Sequence, residues 1–250
     1  MPVNLAEFVA ATAGRHGTVA HVPGGVVVAG PMAIANGYQN TALPTSRDID
    51  PSEFLDRSRD FFGELNREFV LWVPKVHEVL VELAIEHGGV EGPGPTPAMI
   101  ARNRVAITDR RFTITEVVTP AARLTLADVI ERGYDKPGLG WLLDHIGAFD
   151  APGTTWALAH DEHGTPVSAA CGYRASDNSG GLYYVATPVE HRGRGAGAAV
   201  SAWVTNTLVD HGVTSVSLQA SLLGLPVYER LGFEIVDAYR RFAFGAAAQP

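Results

Sequence analysis

"VATPVEHRGRGAGAAV", residues 185–200, sets three glycines and two arginines between a run that reads as a strand and one that reads as a helix. A helix N-terminus leaves backbone N–H groups unpaired and carries partial positive charge, so an anion held there gains hydrogen bonds and a favourable dipole together. Gly193, Gly195 and Gly197 remove Cβ atoms where backbone has to approach such an anion, and the small Ala196 and Ala198 leave the opening clear. Arg192 and Arg194 add positive charge beside it. The simplest ligand is a phosphate or pyrophosphate.

Two common users of this device do not match. A dinucleotide fold tolerates Ala198 as its third small residue, but it wants an acidic residue about 20 positions on, where "SVSLQA" stands. A nucleotide-hydrolysing phosphate loop needs Lys followed by Ser or Thr, and Ala198 to Val200 occupy those places.

Outward from the turn, "GGLYYVAT" reads as the preceding strand, and Val200, Trp203, Val204 and Leu208 fall on one face of the following helix, which Gly212 stops. "TSVSLQA" alternates as a strand, "GLPVYERLGF" is a short helix with Pro226 in its first turn, and "EIVDAYRRFAF" is a closing strand. Upstream, "RFTITEVV" is a strand, "LTLADVIERGY" and "GWLLDHIGAF" are helices, and "TTWALAHDEHGTPVSAACGYR" is a hairpin turning at Glu162 to Gly164.

The N-terminal half has the same order. A helix near Leu5 to Ala13 precedes short strands at "GTVAHV", "GGVVVAG" and "PMAIANGY". "DPSEFLDRSRDFFGEL" then starts a helix with Asp50 as N-cap, Pro51 at its first position and Glu53 three after the cap. Its apolar stripe is Phe54, Leu55, Phe61, Phe62 and Leu65. "EFVLWV" is a strand, and in "VHEVLVELAIEHGG" the spacing turns Val76, Val79, Leu80 and Leu83 inward. "EGPGPTPAMIARN" closes the half with a loop and a strand. Strand, helix, strand, helix, strand thus occurs twice, near 31–103 and 181–238, and only the second copy has the glycine turn.

The chain of 250 residues is 46% hydrophobic, ample for a core, and its net charge of −8, with no basic stripe in the sequence, argues against a general nucleic-acid binder. An acidic protein favours a cationic substrate. Cys171 is the single cysteine, so no intrachain disulfide forms, and it reads as a small core residue. No apolar run has the length of a membrane span, and a soluble, cytoplasmic protein is expected, with no membrane or nucleic-acid partner. The two histidines of "HDEHG", residues 160–164, lie at a hairpin turn and read as solvated; no metal site is expected.

Arg192, Gly195 and Gly197, between a strand and a helix, followed by "LQASLLGLPVYERLGFE", resemble the two signatures of the GCN5-related N-acetyltransferases (GNAT) in order and separation. The resemblance implies an α/β fold with a mixed, centrally splayed sheet flanked by helices, in two tandem units. Residues 111–250 are then the catalytic domain and 1–106 a degenerate domain without the cofactor motif. It further implies acetyl-CoA as co-substrate, bound where two parallel strands splay. Backbone of Val185, Ala186 and Thr187 would hold the pantetheine arm and polarise the carbonyl, and the amides from Gly193 to Ala198, through Arg194, Gly195, Ala196 and Gly197, would cradle the pyrophosphate.

Carried over residue by residue, Tyr228 takes the place of the acid that protonates the leaving thiolate, and Ser221 stands where an asparagine often binds pantetheine. Gly224 replaces a frequent alanine. The usual glutamate base has Val216 in its place, which leaves Glu190, Asp144, His145 or water. Tyr134, Trp141 and Tyr183 are candidates for an acceptor pocket. The expected reaction is acetyl transfer to a primary amine of a small, cationic metabolite or antibiotic, by a monomer or homodimer. The alternatives are a protein or peptide acceptor, and an acyl-CoA-binding protein without catalysis.

Overall fold

The computed structural model describes residues 3–31, 38–106 and 111–245. In chain order the elements are α1 (Val3–Ala13), β1 (Thr18–Val22), β2 (Gly25–Ala29), β3 (Asn40–Pro44), α2 (Pro51–Glu64), β4 (Phe69–Pro74), α3 (Glu78–Glu86), β5 (Val90–Glu91) and β6 (Thr96–Ala101). There follow β7 (Thr113–Glu116), α4 (Pro120–Tyr134), α5 (Leu139–His145), β8 (Thr154–His160), β9 (Pro166–Arg174), β10 (Ser179–Ala186), α6 (Ala196–Asp210), β11 (Ser215–Gln219), α7 (Leu225–Arg230) and β12 (Glu234–Phe244). The fold is mixed α/β, divided into unit 1, Met1–Ala98 with Val236–Pro250, and unit 2, Met99–Ile235. Most of the "PMAIANGY" strand expectation lies outside the described residues.

In unit 1 the strands run in the order β1-β2-β3-β4-β12. β3 and β4 are parallel, paired at Thr41↔Val70 and Ala42↔Leu71, with α2 as the crossover. Asp50 caps α2 as expected, its carboxylate accepting from the N–H groups of Ser52 and Glu53 at 3.0 Å each. Phe54, Leu55 and Phe62 of α2 pack with Phe69 and Leu71 of β4 and Phe242 and Phe244 of β12. The rings stack, Phe62 on Phe69 at 4.4 Å and Phe69 on Phe244 at 4.9 Å.

Two expectations are corrected here. The inward face of α3 is Leu80, Val81 and Ala84, while Val76 and Val79 are 50% and 56% exposed. Nor do residues 111–250 form one domain: Tyr239–Phe244 pair antiparallel with β4, so the last strand completes unit 1. In exchange, Met99 and Ala101 of β6 lie in the core of unit 2. The physical reason is side-chain matching along β12, where alternate phenylalanines meet the aromatic edge of β4.

In unit 2 the strands run β11-β10-β9-β8-β7. One face packs on α6 through Ala157, Ala170, Leu182, Val200, Val204, Leu208, Val216 and Leu218. Close approach is built in, since a Cβ on Gly172 would meet the Val204 side chain at 2.7 Å. Cys171 is fully buried, and burial pushes its thiol well above the usual range, as suits a core residue.

Truncating Phe242 to Ala removes the centre of the unit 1 core and is expected to cost about 3–5 kcal/mol. Urea unfolding read by hydrogen exchange of unit 1 amides checks this; an unchanged midpoint would show that β12 does not hold the unit together.

Candidate active site

β10 and β11 are parallel neighbours joined through α6, yet their ladder covers only Ser179↔Ser215, Gly180↔Val216 and Gly181↔Ser217. Both strands continue, to Ala186 and Gln219, beyond that ladder. The cause lies on the other edge of β10. Its register with β9 shifts between Tyr183↔Cys171 and Ala186↔Ala169, so Tyr184 and Val185 together oppose one residue. This is a β-bulge, and Tyr184 sits in it with φ +48°, a conformation a bulky residue rarely adopts. The extra residue bends β10, and its ladder with β11 ends at Gly181↔Ser217.

The bulge also changes which way side chains point. Trp156, Cys171 and Tyr183 are register partners and share the sheet face opposite α6. Tyr184, which alternation would turn the other way, instead meets Trp156 at 5.7 Å and Tyr134 at 6.2 Å. Phe149 extends the group, edge-on to Trp156 at 5.0 Å. The Tyr183 ring lies over Gly181, where an added Cβ would come within 2.4 Å of its hydroxyl. Of the expected acceptor-side aromatics, Tyr134 and Tyr183 are thus on this face, whereas Trp141 is 63% exposed on α5 and stacked on His145.

Where the splayed strand ends, the chain turns through Gly193 and Gly195, at φ +75° and +94°, into α6. No side chain caps that helix, and its ladder opens with Ala199 N–H to Gly195 O. The amides of Ala196, Gly197 and Ala198 are therefore not used by the helix itself. Gly197 lets the first turn close on the strand end, since a Cβ there would meet Thr187 Oγ1 at 3.1 Å. The corresponding helix of unit 1 differs at the same point. Pro51 has no N–H, and the Asp50 carboxylate already occupies the next two amides. The ends of β3 and β4 are also tied together, His77 Nε2–H donating to Ser46 O at 3.0 Å.

The remaining expected residues separate by what they touch. Arg192 is a brace: its Nε donates to Thr187 O at 2.9 Å and a terminal nitrogen to Gly133 O at 2.8 Å. Arg194 has no acidic side chain in salt-bridge range among the described residues, while its carbonyl accepts from Arg111 at 3.0 Å. The Ala186 carbonyl is fixed by the Ser168 hydroxyl at 2.8 Å, and Thr187 Oγ1 lies 2.9 Å from the same Ser168 Oγ. Ser221 precedes the turn into α7, its Oγ accepting from Gly224 N–H at 3.1 Å. Gly224 makes room for Tyr228, whose ring a Cβ would meet at 2.8 Å. Tyr228 is 8% exposed and packs edge-on to Phe233 at 5.9 Å.

Among the base candidates, Glu190 is ion-paired with Arg132 and hydrogen-bonded to its own backbone N–H. Both hold its carboxyl below the usual range, which weakens it as a base. Asp144 and His145 are exposed on α5. Val216 is fully buried against α6. Because Gly181 pairs with Ser217, the β11 side chains on the face of Tyr183 are Ser215, Ser217 and Gln219, not Val216. The "HDEHG" segment is a hairpin turn organised by Asp161, whose carboxylate accepts from the N–H groups of His163 and Thr165.

Three positions were missed from sequence. Gly133 continues the buried stripe Leu126, Val129, Ile130 of α4, and its missing Cβ lets the helix touch Thr187 N, which a Cβ would approach to 2.9 Å. A glycine inside a helical period was the available signal. Ser168 and Gln219 gave none.

The acetyltransferase (GNAT) family profile matches residues 124–233, all within unit 2. Unit 2 belongs to the GNAT family. The chain also resembles solved structures of this fold. A GCN5-related N-acetyltransferase from Kribbella flavida superimposes with a TM-score of 0.73 at 17% identity, covering 98% of each chain. A GCN5-related N-acetyltransferase from Sphaerobacter thermophilus gives 0.64 at 14%, covering 89% of this chain and 80% of that one. A tandem GNAT protein from the clavulanic acid biosynthesis pathway gives 0.61 at 11%, covering 89% and 80%. No curated protein sequence matches the chain. No described helix is long and apolar enough to cross a membrane.

Gly195→Val forces a β-branched residue to positive φ at the open end of α6. It is expected to weaken CoA binding to this GNAT unit by about tenfold or more. Calorimetric titration checks it, with circular dichroism confirming an intact fold; undiminished affinity would remove the cradle from the account.

Proposed function

We propose that unit 2 is an N-acetyltransferase that moves acetyl from acetyl-CoA to the primary amine of a small cationic acceptor. One observation carries this reading: an uncapped helix N-terminus, entered through two left-handed glycines, stands at the end of a strand that has left its parallel neighbour. The residues fit the group. The amides of Ala196–Ala198 suit a pyrophosphate, Arg194 supplies charge, and the end of β10 beyond its β11 ladder suits the amide-bearing arm. When bound, acetyl-CoA supplies an acyl thioester in the splay.

The chain's own residues then have three tasks. The strand edge at Val185–Thr187, held by Ser168 and Arg192, aims a backbone N–H at the thioester oxygen and stabilises the negative charge that develops there. The amine nitrogen attacks the carbonyl carbon, the C–S bond breaks, and Tyr228 O–H gives its proton to the departing sulfur. The aromatic face of Tyr134, Tyr183 and Tyr184 receives the acceptor, its rings suited to a cation or its alkyl part. The net charge of −8 draws such a cation to the protein.

An amine attacks only when neutral, and bringing a lysine-like ammonium of pKa about 10.4 to pH 7 costs about 4.6 kcal/mol. With Glu190 held low and Val216 in the core, that proton leaves to water. A second reading, an acyl-CoA-binding protein without catalysis, is favoured by the near-complete burial of Tyr228.

CoA-thiol release measured over a panel of amines separates the two. Transfer predicts turnover whose kcat/KM rises about tenfold per pH unit below the amine's pKa, and a loss of about a hundredfold in kcat for Tyr228→Phe. Acetyl-CoA binding with no turnover on any amine would establish the second reading.

A further inference from the structure

Gln219 closes β11, in the stretch that no longer pairs with β10. It shares a face with Ser217, the register partner of Gly181, and so lies opposite the α6 core formed by Val216 and Leu218. That is the face of Tyr183 and the aromatic group. Its side-chain amide is unusual in both halves: Oε1 and Nε2 are each shielded from water and each without a hydrogen-bond partner. Exchanging the two atoms does not help, since neither orientation has anything to bond. Leaving a buried donor or acceptor unmade costs about 1–3 kcal/mol for each group. A strand end that retains such a cost twice, where β10 and β11 cease to pair, is provided with its partner by a ligand bound there.

Resting on the transferase reading above, we propose that Gln219 is a specificity-determining residue that binds the acceptor through both amide atoms. The acceptor then carries, near its reacting amine, a neutral group that both donates and accepts a hydrogen bond, namely a hydroxyl or an amide. A carboxamide has no charge to pair, so Gln219 selects the second group of the acceptor and takes no proton from the first. A site built around a hydrogen bond rejects the analogue lacking it, because its own polar atoms are then left unpaired.

The test uses two amines of equal size, ethanolamine and n-propylamine, with the full-length protein and Gln219→Leu. The ratio of their kcat/KM values, compared between the two proteins, cancels the amines' own basicity. Gln219→Leu is expected to lower the ethanolamine-to-propylamine ratio about tenfold, mostly through the ethanolamine KM. CoA affinity measured on the same variant confirms that it folds. Turnover of both amines with an unchanged ratio overturns this inference and leaves the transferase reading standing. Where wild type turns over neither amine, the melting temperature with CoA present decides the inference, while the transferase reading is decided separately by the amine panel. Ethanolamine is expected to raise it more than propylamine in wild type and equally in Gln219→Leu; equal shifts in wild type overturn it.

Discussion

One surplus residue in β10 governs the site. Backbone hydrogen bonding in a sheet is obligatory unless something else satisfies or exposes the groups, so two parallel strands joined by a helix should pair along their shared length. Here the bulge at Tyr184–Val185 bends β10 and ends that pairing at Gly181↔Ser217. Two features of the site follow from it: the early end of the β10–β11 ladder and the two tyrosines, Tyr183 and Tyr184, on one face. Strain at Tyr184 is sustained by packing, since its ring is locked between Trp156 and Tyr134.

The two units show what keeps such a cleft open to an anion and what closes it. Both have a strand, a crossover helix and a parallel strand that pair only briefly. At α6 glycines precede the helix and its first amides have no side-chain cap. At α2 the chain supplies its own anion, Asp50, and removes a donor with Pro51. A carboxylate already bonded to two amides both occupies the position and repels a phosphate. Unit 1 therefore has a well-capped, stable helix in place of a ligand site, and local stability and binding are alternatives at one backbone position.

The order of elements and the glycine turn could be read directly, because capping residues, left-handed glycines and the 3.6-residue period of α4 and α6 are local signals. The geometry around the site was legible where it depends on local backbone, in the glycine turn at Gly193 to Ala198, and obscure where it depends on register. A bulge alters no local preference, so "GGLYYVAT" gave no sign that Tyr183 and Tyr184 would share a face, and the side chain of Val216, which stands where a glutamate base is usual, lies in the α6 core. Arg192 read as a ligand charge and is a brace between Thr187 and Gly133. The division of the chain was misread for a similar reason: β12 finds its partner in β4, far away in sequence, and only the meeting of Phe242 and Phe244 with the Phe69 edge decides it.

The central claim is that the chain has one acyl-CoA cradle, at the open end of α6, and that the matching end of α2 is filled. Hydrogen–deuterium exchange with and without acetyl-CoA tests it most directly. Protection confined to peptides covering 182–200 and 219–228, with 44–56 unchanged, is the predicted result. Protection at 44–56, or none at 192–198, would contradict the account.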